Sequence, residues 1–164
     1  MANELFLKVC PSLARTDTAK YTLADIEKEC KEICKYFDLA YPYTNKKMSR
    51  VSFCVKWGVD KTNTLGRCHR NNEYDYTLTF NPTYFKIGDP QSVHSTIIHE
   101  VLHMCEGCFK HTGEWKYRAQ NCQYHLGIPV TRLNRDANYH QMRIDTAKYD
   151  LFCVNCGEIG HYRR

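Results

Sequence analysis

His99-Glu100-Val101-Leu102-His103 constrains this chain more than any other stretch. On a helix, residues four apart lie about 40° apart around the axis and about 6 Å along it, so both imidazoles can reach one metal ion. Glu100 follows the first histidine directly. In H-E-x-x-H sequences a carboxylate at that place takes a proton from the water that attacks a carbonyl at the metal. The five residues therefore point to metal-assisted hydrolysis, most often of a peptide bond.

The surroundings agree with a helix. Ser92 is the expected N-cap after Asp89-Pro90, and Val93, Ile97, Val101 and Met104, with Ile98, Leu102, Cys105 and Phe109, make a wide apolar face at helical spacing. A lone histidine on such a face is ordinarily a hydrogen-bonded core residue, but two of them around a glutamate at this spacing read as ligands. A catalytic zinc takes three protein ligands and leaves a fourth position open. His111 is the expected third ligand. On an unbroken helix it would sit about 12 Å beyond His103, so the helix must stop first, and Gly107 can stop it by adopting the left-handed conformation. Thr112 then opens a second helix with Trp115, Ala119, Cys122 and Leu126 on one face, closed by Gly127 and Pro129.

These residues resemble the SprT-like (Spartan-like) metalloproteases. That family pairs an H-E-x-x-H helix with a later histidine opening an H-x-x-x-W or H-x-x-x-F element, here His99-Glu100-x-x-His103 and then His111-Thr112-Gly113-Glu114-Trp115. Members also carry a segment like Gly66-Arg67-Cys68, a strand ending in Asn-Pro such as Thr77 to Pro82, and a C-terminal Cys-x-x-Cys-Gly followed by basic residues. All three occur in order, so the resemblance runs from about Val51 to the end. The chain departs from the family in a shorter loop between His103 and His111 and in having half of the usual C-terminal zinc ribbon. The resemblance implies an α+β, minimal zincin-like metalloprotease domain over residues 1–150 and a partial zinc-ribbon or zinc-knuckle-like tail over 151–164. It also implies a zinc endopeptidase that cuts DNA-bound proteins, with single-stranded or damaged DNA as a partner and the cytoplasm, nucleoid or nucleus as its location.

The remaining sequence supplies scaffold. Thr22 to Asp38 reads as an amphipathic helix with Ile26, Cys30, Ile33 and Phe37 in one stripe. Val51, Phe53, Val55 and Trp57 alternate as a strand with one buried face, Gly58 to Asn72 reads as loop, and Tyr74 to Phe80 reads as a second strand expected near the site. Which strand forms the sheet edge is left open. A helix, a small sheet and a helix pair make an α+β layout, and 164 residues suffice for one domain with a real core.

Leu5-Phe6-Leu7 is interrupted by Lys8 and soon reaches Pro11, too short for a signal peptide or spanning helix, so a non-secreted protein with no membrane association is expected. In that setting the ten cysteines read as thiols and candidate ligands. Cys30, Cys34 and Cys54 are expected as small buried residues, while Cys10, Cys68 and Cys122 carry no signal alone. Cys153, Cys156 and His161 are spaced like half a zinc ribbon or most of a zinc knuckle, and are candidate ligands for a second, structural zinc; an unmetallated tail is the alternative.

A net charge of +5 fits an anionic partner but does not demand one. From Lys116 onward, Arg118, Arg132, Arg135, Arg143, Lys148, Arg163 and Arg164 interleave with Tyr117, Tyr124, Tyr139 and Tyr162. That mixture suits phosphate contacts and base stacking, or simply a solvated face. The expected chemistry has His99, His103 and His111 holding zinc and Glu100 acting as general base, with Tyr124, His125 and His140 open as supporting groups. The competing class is a non-catalytic, zinc-stabilised nucleic-acid-binding module in which Cys105 or Cys108 closes the site. A catalytically silent relative is a third possibility.

Overall fold

Thr22 starts the first long helix with a capping box: its hydroxyl accepts the Asp25 N–H while the Asp25 carboxylate accepts the Thr22 N–H. This is seen in a computed structural model that describes residues 4–58, 64–132, 149–152 and 159–162. Ahead of the cap lie helix α1 (Glu4–Val9) and two short 3-10 turns, Pro11–Ala14 and Thr18–Lys20. The helix itself, α2 (Leu23–Ala40), buries the expected stripe of Ile26, Cys30, Ile33 and Phe37. Each large apolar side chain so buried contributes about 1.5–3 kcal/mol.

Three strands follow: β1 (Ser52–Trp57), β2 (Gly66–Arg70) and β3 (Asp75–Phe80). Their order is β1-β3-β2, with β1 parallel to β3 (Val55 opposite Leu78) and β2 antiparallel to it (Cys68 opposite Leu78). The strand read as lying near the site is therefore the centre of the sheet, and β2 forms one edge. β2 also corrects the loop expected there. Gly-Arg-Cys-His-Arg has no apolar alternation, and its extended form comes from pairing with β3.

Tyr76, Leu78 and Phe80 of β3 are buried, and Phe53, Val55 and Trp57 of β1 pack into the same apolar cluster as α2. Cys54, expected to be buried, points to the other side of β1 and is exposed. Asn81 caps helix α3 (Pro82–Ile87), after which come α4 (Pro90–Leu102) and α5 (Gly113–Leu126). Val93, Ile97 and Val101 of α4 complete the core against α2 and the sheet. Tyr149–Phe152 (β4) and Ile159–Tyr162 (β5) form a separate antiparallel pair. The described architecture is α+β, and among the described residues no helix is long and apolar enough to cross a membrane.

Candidate active site

α4 begins three residues earlier than Ser92 suggested. Asp89 is the N-cap, its carboxylate accepting the Ser92 N–H at 3.0 Å, and Pro90 occupies the first turn, where its fixed φ and missing N–H carry no penalty. The helix buries Val93, Ile97, Ile98, Val101 and Leu102 and ends at Leu102. His103 is the C-cap but keeps right-handed helical angles, so it remains one turn beyond His99 on the same face.

The chain then turns back. The N–H groups of Met104 and Cys105 donate to the carbonyls of Val101 and Leu102, Cys105 and Cys108 anchor the loop in the core, and Gly107 takes the expected left-handed conformation (φ 73°). Phe109, read as part of the helical face, instead lies on this loop and is 45 % exposed. His111 returns to α4 with its Nε2 3.0 Å from that of His99, and one ring nitrogen from each of His99, His103 and His111 lies within 4.8 Å of the others. Three ligands at tetrahedral angles with zinc–nitrogen bonds of about 2.0–2.1 Å would have nitrogens about 3.3 Å apart. The described histidines are thus close enough to hold one ion.

Backbone carbonyls orient two of the rings, a role for which the sequence leaves Tyr124, His125 and His140 open. The Nδ1–H of His99 donates to the Thr131 carbonyl and that of His103 to the Cys108 carbonyl, both at 3.0 Å. Because a carbonyl can only accept, each ring carries its proton on Nδ1 and presents the lone pair of Nε2 to the shared site. Ser95 donates to the Pro129 carbonyl at 2.7 Å, laying the segment after α5 along α4 and bringing Thr131 to His99. Burial lowers the pKa of all three imidazoles, that of His99 to about 4, with the neighbouring His103 adding to the effect on His99 and His111. All three are neutral at pH 7, as ligands must be. Trp115 packs against them, its ring centroid 4.9 Å from His99, 6.0 Å from His103 and 4.6 Å from His111.

Glu100 faces the sheet. It is 6 % exposed, and burial pushes its carboxyl up to about 8, against the opposing effects of a hydrogen bond from the Cys68 N–H and the charge of Arg67. A buried carboxyl that follows one of the clustered histidines and has a pKa near neutrality is suited to moving a proton. The contact with β2 had no signal in the local sequence, because it joins a helix to a strand some thirty residues earlier.

Other expected residues fall elsewhere. Among the described residues the three histidines are the one cluster of three or more metal-ligating side chains, so Cys105 and Cys108, though buried nearby, add no thiolate to it. His125 hydrogen-bonds to the Tyr36 hydroxyl and stacks on Phe6, and Tyr124 is exposed; neither supports the histidines. Arg118, counted among the basic residues available to nucleic acid, is buried, paired with Glu114 at 2.6 Å and set over the Tyr41 ring. Cys153, Cys156 and His140 lie outside the described residues, as does the side chain of His161 on β5.

No curated protein and no solved structure matches the chain. The SprT-like family model matches residues 32–134, well over half of the sequence, from α2 through α5 and including all three histidines and Glu100. The chain belongs to the SprT-like family.

Proposed function

We propose that this protein is a zinc-dependent endopeptidase of zincin-like fold acting on DNA-associated proteins. One observation carries the reading: three neutral imidazoles, two from α4 and its C-cap and one from the loop beyond, converge on one point, and a buried carboxylate follows the first of them on α4. An all-imidazole set suits zinc, which when bound polarises a scissile carbonyl as a Lewis acid. His99, His103 and His111 hold the ion, their tautomers fixed by Thr131 and Cys108. Glu100 accepts the proton of the attacking water and returns it to the leaving amine. An extended peptide pairing with the outward backbone groups of β2 that Glu100 leaves free, those of Gly66 and Arg70, would lie next to Glu100. Exposed Lys116, Tyr117, Tyr124 and Arg132 suit a phosphate backbone and unpaired bases, and DNA so bound would deliver its attached proteins.

The test is cleavage of a DNA-binding protein by the zinc-loaded chain, with and without single-stranded DNA, beside Glu100→Gln. Turnover should fall by about 10²–10⁴-fold in the variant with zinc content unchanged, and DNA should raise the parent rate. Glu100-dependent cleavage indifferent to DNA removes the DNA part of the reading. Equal rates for parent and variant remove the role of Glu100, and absence of cleavage with zinc and DNA still bound favours the binding-module class.

A further inference from the structure

Gly66-Arg67-Cys68 matches a family segment that the metal ligands leave without a role. Its backbone orientation follows from the hydrogen bonds on either side: the Asn81 N–H donates to the Leu65 carbonyl and the Asn71 N–H to the Asp75 carbonyl. Residues that alternate with Leu65 and Asn71 therefore turn their polar groups away from β3, and these are Gly66, Cys68 and Arg70. The outward Cys68 N–H meets the Glu100 carboxylate.

Gly66 approaches the same side chain. A Cβ at this position would lie 2.8 Å from both Cγ and Oε1 of Glu100 and 3.1 Å from Cδ. Gly66 is not among the glycines with positive φ, so its backbone conformation does not call for glycine; the space taken by Glu100 does.

We propose that Gly66 and the Cys68 N–H form a holder for the Glu100 carboxylate, with Gly66 a positioning residue whose missing side chain sets where the base lies. The proposal rests on the reading of Glu100 as general base. A carboxylate that gives one oxygen to the Cys68 N–H keeps the other free for a proton, and a base held this way needs no reorganisation when the proton moves. A methyl group at Gly66 must push the carboxylate away by on the order of 1 Å to reach ordinary carbon contact distances. Misplacement of that size in an active site costs about 100-fold in rate.

The experiment uses Gly66→Ala in the full chain. With zinc bound, kcat on a peptide substrate should fall about 100-fold while KM and zinc affinity stay at parent values. In the metal-free protein the Cys68 amide proton should move upfield and exchange faster as its hydrogen bond is lost. Gly66→Ala added to Glu100→Gln should leave the residual rate unchanged, since the base is already gone; an equal further loss there would mark a general structural effect and overturn the proposal. An unmoved Cys68 amide with full activity would overturn it too. If the parent shows no Glu100-dependent turnover, the endopeptidase reading fails, and the Cys68 amide alone decides the holder. Should Gly66→Ala not fold, Glu100→Asp withdraws the carboxylate by one methylene, and a Cys68 amide unaffected by that change rejects the contact.

Discussion

Trp115 shows how one side chain can support the three site histidines without joining their cluster. Its indole is 3 % exposed, packs against all three imidazoles, and carries an Nε1–H with no hydrogen-bond partner among the described residues. An unmet buried donor costs about 1–3 kcal/mol, so the ring is held here for its shape and not for its N–H. Trp115→Phe should therefore fold with a loss under about 1.5 kcal/mol, because the flat apolar surface remains and the orphan donor goes. Trp115→Ala should lose about 3–5 kcal/mol in urea unfolding and weaken zinc binding in a chelator competition, because His99 and His111 lose the surface that fixes their rings. Equal zinc affinity in the alanine variant and the parent would show that the carbonyls of Thr131 and Cys108 suffice to orient the ligands.

At the scale of elements, α4 couples stability to the site because it carries His99 and Glu100, with His103 at its C-cap, and a share of the core. Its N-terminus depends on Asp89, and Asp89→Ala should cost about 1 kcal/mol in denaturant midpoint without altering kcat, since the cap lies more than two turns from His99. The sequence offers both Ser92 and Asp89 as good caps, and Pro90 between them decides in favour of the earlier one. The stripe of α2, the burial of Trp115, Ala119, Cys122 and Leu126 on α5, and the left-handed Gly107 were legible because periodicity and glycine chemistry are local. β2 was not, because its extended form comes from β3. The Glu100 holder and the carbonyls behind His99 and His103 were hidden for the same reason: each joins segments that meet only in the folded chain.

Across the whole molecule, a buried polar network ties the N-terminal segment to the two principal helices. His94 on α4 is 2 % exposed; its Nδ1 contacts the Glu29 carboxylate of α2 at 2.9 Å and its Nε2 contacts the Arg15 carbonyl at 2.9 Å. Tyr21 donates to the other Glu29 oxygen at 2.9 Å. A carbonyl and a carboxylate both accept, so the ring satisfies both only as imidazolium. Burial opposes that charge, but the hydrogen bond and charge of Glu29 together with the Arg15 carbonyl outweigh it, and the net effect raises the His94 pKa above its ordinary value of 6.5. A histidine whose pKa is raised on folding adds stability that is complete below its unfolded value and is lost as pH climbs through the folded one. The site histidines shift the other way and lose stability as pH falls, so the total pH profile mixes opposite trends. Comparing metal-free parent with His94→Gln isolates the network. The difference in unfolding free energy should be largest below about pH 6.5, where breaking a buried charged pair costs roughly 3–5 kcal/mol, and should shrink as pH rises above that. A difference that stays flat from pH 5.5 to 9 would mean that His94 is neutral in the fold and that Glu29 is held by Tyr21 alone.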